Sequence, residues 1–301
     1  MKSIKIILLV LAFLYLGNIK NLEANINADS TFIAVLSMPN DTNKVISLFD
    51  LAASYKDDKR LALQIVDSAL VLSKSLNYYN GIAQSCLFLG SLNTSIGDYP
   101  ASLGYLLEGM SYLNFINDSV LIGKLYNELA YTYSMQGPEN FPKAINLNLQ
   151  ALEMQVEVND IQGIARSYTY LGYLYSDPIS ETTLDKNKAL DYFIKALDYN
   201  KMLNNVSAQA SIISSIGFTY FSMDNYTEAL KYVEKSLEMY KLLNNKRGEM
   251  NANYRAGIIH RAIKNYSKSI YYLEKTITDA IESDNKDLAN NAYEALSRTL
   301  I

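Results

Sequence analysis

The sequence predicts an all-α fold, an α-solenoid of antiparallel helix pairs, because three features recur in phase along its 301 residues. The first feature is a small residue that returns about every 40 positions. It is found at Ala52, Gly90, Ala130, Gly172, Gly217, Gly257 and Ser297. Such a period is typical of stacked helical hairpins, since one hairpin cannot bury its own apolar face.

The second feature is a pair of small residues seven positions apart, which follows each of the first six markers. Seven residues make about two helical turns, so both members of a pair lie on one face of a helix. The pairs are Ala62/Ala69, Ser102/Gly109, Ala144/Ala151, Ala189/Ala196, Ala229/Ser236 and Ser269/Thr276. An aliphatic residue or a methionine follows each member, which predicts a closely packed second helix in every unit.

The third feature is an Asn or Asp located 13 positions before each later marker. These residues are Asn77, Asn117, Asn159, Asn204, Asn244 and Asp284. Asn and Asp tolerate the left-handed conformation that ends many helices. We therefore expect each of them to close one unit and to open the next.

These residues resemble the tetratricopeptide repeat family, whose pattern combines bulky, small and aromatic positions over two helices. The fifth repeat shows it with Ile213, Ile216-Gly217, Tyr220, Ala229-Leu230 and Ser236-Leu237. The resemblance covers residues 43–301, about six and a half repeats, and implies a tetratricopeptide-repeat superhelix. The period near 40 is similar to a long bacterial form, found in the sensor part of histidine kinases that contain such repeats.

The N-terminus indicates export. Lys2 and Lys5 precede an apolar run from Ile6 to Leu16, and this order is typical of a secretory signal peptide. Eleven residues are too short to cross a bilayer core of about 30 Å. We expect a signal peptide at residues 1–24, a lead-in at 25–42, and a periplasmic or extracellular protein. An uncleaved anchor and a buried helix are the alternatives, and no membrane span is expected after this segment.

Composition makes several classes of function improbable. The chain has 27 basic and 31 acidic residues, so we expect no nucleic-acid partner. Its one cysteine, Cys86, and its one histidine, His260, cannot form a Cys/His metal site. Cys86 falls on an apolar repeat position, and His260 falls where other repeats carry tyrosine, so both are interpreted as core residues. We expect no enzyme activity, no metal and no cofactor.

The resemblance also implies a binding surface, because the first helix of each pair lines the concave face in this family. Amide side chains can bond both groups of a peptide main chain, and cationic side chains can pair with a carboxylate. The candidate groove residues are Lys124, Asn127, Tyr131, Arg166, Tyr173, Phe218, Asn251, Tyr254, Arg255 and Arg261. They predict a protein or peptide partner, with an acidic group in it as a further hypothesis. A solvated face without a specific ligand is the alternative.

The sequence is compatible with two functions. The first is an exported, non-catalytic tetratricopeptide-repeat scaffold that binds proteins or peptides through its concave face. The alternative is the N-terminal extracytoplasmic sensor region of a histidine kinase or of a helix-turn-helix transcriptional regulator. Residues 287–301 are expected to form the first helix of a seventh repeat, either as a cap or with more chain after it.

Overall fold

The computed structural model describes residues 30–55, 57–177 and 184–300. The predicted signal peptide at residues 1–24 lies outside these ranges. Within them the chain forms fourteen α-helices and two short 3-10 helices, with no strand. The helices follow one another as antiparallel pairs, so the predicted all-α solenoid is confirmed. The chain divides into two compact units, one up to residue 117 and one from residue 118.

Where the structure describes it, the first unit contains five α-helices and one 3-10 turn, Leu113–Phe115. The helices are α1 (Ser30–Ser37), α2 (Thr42–Ser54), α3 (Lys59–Ser75), α4 (Tyr79–Ile96) and α5 (Tyr99–Met110). Helix α1 belongs to the predicted lead-in, and its Phe32 and Val35 are buried against Val45 and Leu48 of α2. Cys86 of α4 is buried in the same core, which raises the pKa of its thiol to about 12. The thiol is therefore protonated, as its interpretation as a core residue requires.

The second unit contains nine α-helices in the described residues, and a 3-10 turn at Pro138–Asn140 before the second of them. The first five are α6 (Ser119–Met135), α7 (Phe141–Glu157), α8 (Ile161–Ser176), α9 (Lys186–Met202) and α10 (Val206–Ser222). The last four are α11 (Tyr226–Leu242), α12 (Lys246–Ala262), α13 (Tyr266–Glu282) and α14 (Lys286–Leu300). Helices α6, α8, α10 and α12 are first helices of successive pairs, and α14 is the first helix of the expected seventh repeat.

Asn and Asp residues set most helix boundaries. Side chains such as Asp118 and Asn205 accept a hydrogen bond from a backbone N–H in the first turn, which satisfies one of its unpaired donors. Five of the six predicted closing residues have the expected positive φ: Asn77, Asn159, Asn204, Asn244 and Asp284. The prediction for Asn117 is wrong. Helix α5 already ends at Met110, and the chain then passes through the 3-10 turn to an extended Ile116.

The recurring small residues allow close contact inside each pair. A Cβ added to Gly172 would lie 2.5 Å from Cδ1 of Phe193, and one added to Gly257 would lie 2.7 Å from Cγ of Leu273. Both distances are well below van der Waals contact. Phe193 and Leu273 each lie four residues after the first member of a small pair, so the first two sequence features mark the two sides of one contact.

An aromatic stack joins the two helices of three pairs in the second unit. Tyr175 stacks on Tyr192, and Tyr220 stacks on Tyr232, with ring centroids 5.6 and 5.5 Å apart. His260 replaces the first tyrosine in the next pair and stacks on Tyr272 at 5.5 Å. Neither of its ring nitrogens has a hydrogen-bond partner in the described residues. Burial, with a smaller contribution from the charge of Lys268, lowers the pKa of His260.

We expect the unfolding free energy to fall on mild acidification because of His260. The folded state disfavours the imidazolium form of His260, whereas in the unfolded chain the imidazole binds a proton near pH 6.5. The unfolding free energy therefore falls as the pH drops below about 6.5. The loss approaches about 1.4 kcal/mol per pH unit until the folded pKa is reached. Urea unfolding at pH 7.5 and 5.5 measures it, and the variant His260→Tyr is the control because tyrosine is neutral throughout. An equal loss in both proteins would contradict the assignment.

Candidate functional site

A pocket of about 830 Å³ lies along the first helices of three successive pairs, α6, α8 and α10. Four of the candidate residues line it: Asn127, Tyr131, Arg166 and Tyr173. The resemblance implied that first helices would supply this surface, and in the second unit most of the lining comes from them. Two second helices also reach it, through Asn148 of α7 and Asn200 of α9.

The pocket floor is made of carboxamide side chains. Asn127 and Asn148 are only 7% and 1% exposed, and Nδ2 of Asn148 donates to Oδ1 of Asn127 at 3.1 Å. This bond leaves Nδ2 of Asn127 and Oδ1 of Asn148 buried without a hydrogen-bond partner in the described residues. A donor and an acceptor therefore remain unpaired at the floor, and they match the C=O and N–H that one residue of an extended chain presents on the same side. Asn200 differs, because its Nδ2 donates to the Ala196 carbonyl at 2.8 Å.

Another buried amide, that of Gln155, lies behind Asn127 and does not line the pocket. The hydroxyl of Ser167 is 3.1 Å from Oδ1 of Asn127 and 2.7 Å from Oε1 of Gln155. Gln155 is fully buried, and its Nε2 has no hydrogen-bond partner in the described residues. Its side chain lies against Gly123 and Gly163, where added Cβ atoms would be 3.2 and 2.7 Å from it. Asn127 and Asn148 at the floor thus belong to a buried polar cluster with Gln155 and Ser167, and the surrounding helices pack closely against it.

Three tyrosines form the aromatic part of the lining. Tyr131 and Tyr170 meet edge to face, with centroids 5.8 Å apart, and Tyr173 meets Phe193 in the same way at 5.3 Å. Tyr170 also donates to the Ala130 carbonyl at 3.4 Å and bonds the Ser134 hydroxyl. Burial raises the pKa of Tyr170, so the phenol is neutral. Rigid tyrosine rings supply contact area to a partner at low entropic cost.

Few charges face the pocket. Glu128 and Arg166 are the charged side chains of its lining, so their charges offset each other. Arg166 is exposed, whereas the amides beneath it are buried. A pocket with a polar floor, aromatic walls and little net charge suits a polypeptide segment better than a highly charged ligand.

Arg255 of α12 lies next to this pocket without lining it. Its Nη1 donates to the carbonyl and to the hydroxyl of Ser214, at 2.7 and 2.9 Å. The guanidinium carbon is 5.0 Å from the ring centroid of Phe218, so these two candidates are in contact. Burial lowers the pKa of Arg255, and Tyr173 and Tyr240 interact with its charge.

The other candidate residues are placed elsewhere. Tyr254 and Arg261 line a second, smaller pocket of about 120 Å³, together with Asn291 and Arg298 of α14. Lys124 and Asn251 are exposed and line neither pocket. The ten candidates therefore do not form one site, since four share the large pocket, two share the small one and two contact each other.

The sequence missed the second-helix asparagines. Asn148 lies four residues after Ala144, at a position that is apolar in the other five pairs, and Asn200 lies four residues after Ala196. A buried amide needs a hydrogen-bond partner, so an amide at such a position could have indicated a polar cluster inside the repeat. Gln155 carries the same signal, four residues after Ala151.

Two further properties concern only the described residues. No group of three or more His, Cys, Asp or Glu side chains among them could hold a metal ion. Of the helices in the described ranges, none is both long enough and apolar enough to span a membrane.

The comparison with known families decides the nature of the repeats, since residues 208–282 match the tetratricopeptide repeat family model. Residues 208–282 contain tetratricopeptide repeats. The matched segment includes most of α10 and all of α11, α12 and α13, and the resemblance derived from the residues is confirmed. No curated protein sequence matches the chain.

Solved structures are similar in fold to this chain over most of its length. A STAND protein with a tetratricopeptide repeat sensor, from Pyrococcus horikoshii, is 18% identical with a TM-score of 0.66, over 89% of this chain and 41% of its own. Aspartyl phosphate phosphatase F from Bacillus subtilis is 14% identical with a TM-score of 0.65, over 93% and 73%. A Rap protein complexed with competence and sporulation factor is 14% identical with a TM-score of 0.59, over 80% and 72%. At these identities the likeness shows the fold alone.

Proposed function

We propose that the large pocket of the second unit binds an extended segment of a protein partner, and that the protein is a non-catalytic scaffold. The observation that carries this proposal is the floor of the pocket, where Asn127 and Asn148 keep one buried donor and one buried acceptor unpaired. A residue in an extended chain presents its own N–H and C=O on the same side and can pair with both. The tetratricopeptide-repeat fold itself indicates protein–protein interaction.

The absence of catalysis is part of this proposal. Cysteine, an intrinsically strong nucleophile, and histidine, the most frequent general base, are present once each, as Cys86 and His260. Both side chains are buried in cores. The Cys86 thiol is protonated and the His260 imidazole is stacked on Tyr272, so neither is presented to a substrate.

Peptide selection tests the pocket directly. Short random peptides displayed on phage are selected on the full chain, and the best are made with amidated ends for fluorescence anisotropy. Thr169→Trp fills the pocket from its α8 wall and should weaken binding more than tenfold. Thr278→Trp is the matched control, because each threonine donates its hydroxyl to the carbonyl four residues earlier and Thr278 is exposed on α13. Selected peptides that bind both variants as tightly as the unmodified protein would exclude the pocket.

We further propose that the protein is exported to the periplasm or beyond the cell, on the basis of the basic start and apolar run in residues 1–24. A sensor region of a larger signalling protein is the second candidate. It is supported by the likeness to the STAND protein with a repeat sensor, of which this chain covers 41%. The intact mass of the protein from its native cell distinguishes the two: loss of residues 1–24 alone supports an exported scaffold, and a much larger mass supports the sensor.

A further inference from the structure

The guanidinium of Arg255 has no acidic partner in the described part of the chain. Both of its hydrogen bonds start at Nη1 and end on Ser214, and Phe218 covers it on one side. None of the ion pairs among the described residues includes it. Nε and Nη2 therefore remain as donors that no carboxylate of the described residues satisfies.

The surroundings of Arg255 are rich in hydroxyl groups. Ser214 is bonded to it, and the phenols of Tyr173 and Tyr240 are the groups that interact with its charge. Burial raises the pKa of Tyr240, so this phenol carries no charge near pH 7. An arginine is not deprotonated in proteins, so the free protein holds a half-buried cation beside hydroxyl groups and without an acidic partner among the described residues. Such a cation is unfavourable until an anion pairs with it.

We propose that Arg255 receives a carboxylate of the bound segment, with the hydroxyls of Tyr173, Ser214 and Tyr240 around it; this rests on the proposed function of the neighbouring pocket. Tyr173 provides the connection, because it lines the pocket and its hydroxyl is 3.5 Å from that of Ser215, the neighbour of Ser214. The partner is then an extended segment with an acidic group beyond its contact with the amide floor.

The chemistry of the site favours a carboxylate over a phosphate group. The free Nε–Nη2 edge of a guanidinium matches the two oxygens of a carboxylate. Phosphate groups carry nearly twice the charge, and the sites that recognise them gather several cations. Arg255 is a single cation, and the nearby hydroxyl groups add donors without adding charge.

Three libraries of short random peptides separate the possible sources of the anion. One has amidated ends, one has free C-terminal carboxylates, and one is amidated and contains phosphoserine. Each library is incubated with the full chain, and bound peptides are identified by mass spectrometry. We expect Asp and Glu to be enriched about tenfold in the amidated library. Arg255→Gln should remove this enrichment, and Arg247→Gln, at an exposed position on the same helix, should keep it.

Thermal unfolding of the same variants separates recognition from a structural role. Arg255→Gln should melt at the same temperature as the unmodified protein or higher, because it removes a half-buried cation that has no acidic partner in the described residues. Arg255→Lys should keep part of the acidic preference. A large loss of melting temperature with unchanged peptide preference would overturn the inference. Bound peptides without acidic enrichment, or with enrichment only of free C-termini or of phosphoserine, would also overturn it and leave the pocket proposal standing. No binding from any library would overturn both.

Discussion

Phe193→Ala should destabilise the second unit by about 3–5 kcal/mol, the usual cost of removing a fully buried aromatic ring. Phe193 has no exposed surface and lies directly over Gly172 of the paired helix. Gly172 has no side chain with which to fill the space, so a cavity remains. The ring also supports Tyr173, whose centroid is 5.3 Å away and which lines the large pocket. The same substitution should therefore weaken peptide binding as well as stability.

The loss of stability is measured by urea unfolding followed by far-ultraviolet circular dichroism, because the chain has no tryptophan whose fluorescence could report unfolding. Repeat proteins can unfold in more than one step, so the transition of the second unit is the quantity to compare. The neighbouring Ile194 is 47% exposed, and Ile194→Ala should change stability by less than about 0.5 kcal/mol. Equal effects of the two substitutions would contradict the packing described here.

A double mutant tests the contact itself. Gly172→Ala alone places a Cβ 2.5 Å from the Phe193 ring and should cost about 1–3 kcal/mol by overpacking. In the Phe193→Ala background the same Cβ enters the cavity, and alanine is also the better helix former by about 1 kcal/mol. The two substitutions should therefore be strongly non-additive, as expected for residues in direct contact.

Much of the fold could be predicted from the sequence, because each recurring residue meets a local physical requirement. Gly172 and Gly257 are small because a side chain of the paired helix lies on them. Asn159 and Asn204 recur because their repeats end in a left-handed residue. Asn117 was predicted wrongly because helix α5 ends early, at Met110. Gly109 stands one residue before that end, and a glycine near the end of a helical pattern favours termination.

The site could be predicted less well, because it depends on how neighbouring pairs stack. The family resemblance placed Asn127 and Arg166 on a common surface, and the pocket contains both. It could not indicate that Asn148 of a second helix completes the floor, or that Arg255 bonds Ser214 one pair away. Such contacts join residues separated by 21 to 41 positions, and a pattern within one helix carries no information about them.

The second large effect should come from Gln155→Glu, a nearly isosteric change in the buried polar cluster. Gln155 is fully buried, and its Nε2 lacks a partner in the described residues. A protonated glutamic acid places an O–H donor there and still accepts from Ser167, so the neutral form fits the site. The ionised form would be a desolvated charge with one donor, and burial of this kind raises the pKa of a carboxyl group.

The direction of the pH dependence follows from this shift. Between pH 4.3 and the raised pKa, the introduced carboxyl group is ionised in the unfolded chain but protonated in the folded protein. The unfolding free energy therefore falls as the pH rises, by about 1.4 kcal/mol per pH unit. The loss should reach up to about 3.7 kcal/mol at pH 7 and should vanish below about pH 4.3. Urea unfolding of Gln155→Glu relative to the unmodified protein at pH 4.5 and 7 gives the difference.

Gln150→Glu is the matched control, because Gln150 is on the same helix but exposed, with its Nε2 bonded to Asn146 at 3.0 Å. It should show no comparable pH dependence. If Gln155→Glu behaved like Gln150→Glu, water would reach Gln155 from the pocket side, past Asn127 and Ser167. The two unpaired amide groups at the floor would then be hydrated in the free protein, and a bound segment would gain little from pairing with them. A strong pH dependence means instead that the floor is dry, so that a bound main chain satisfies groups that the protein alone leaves unpaired.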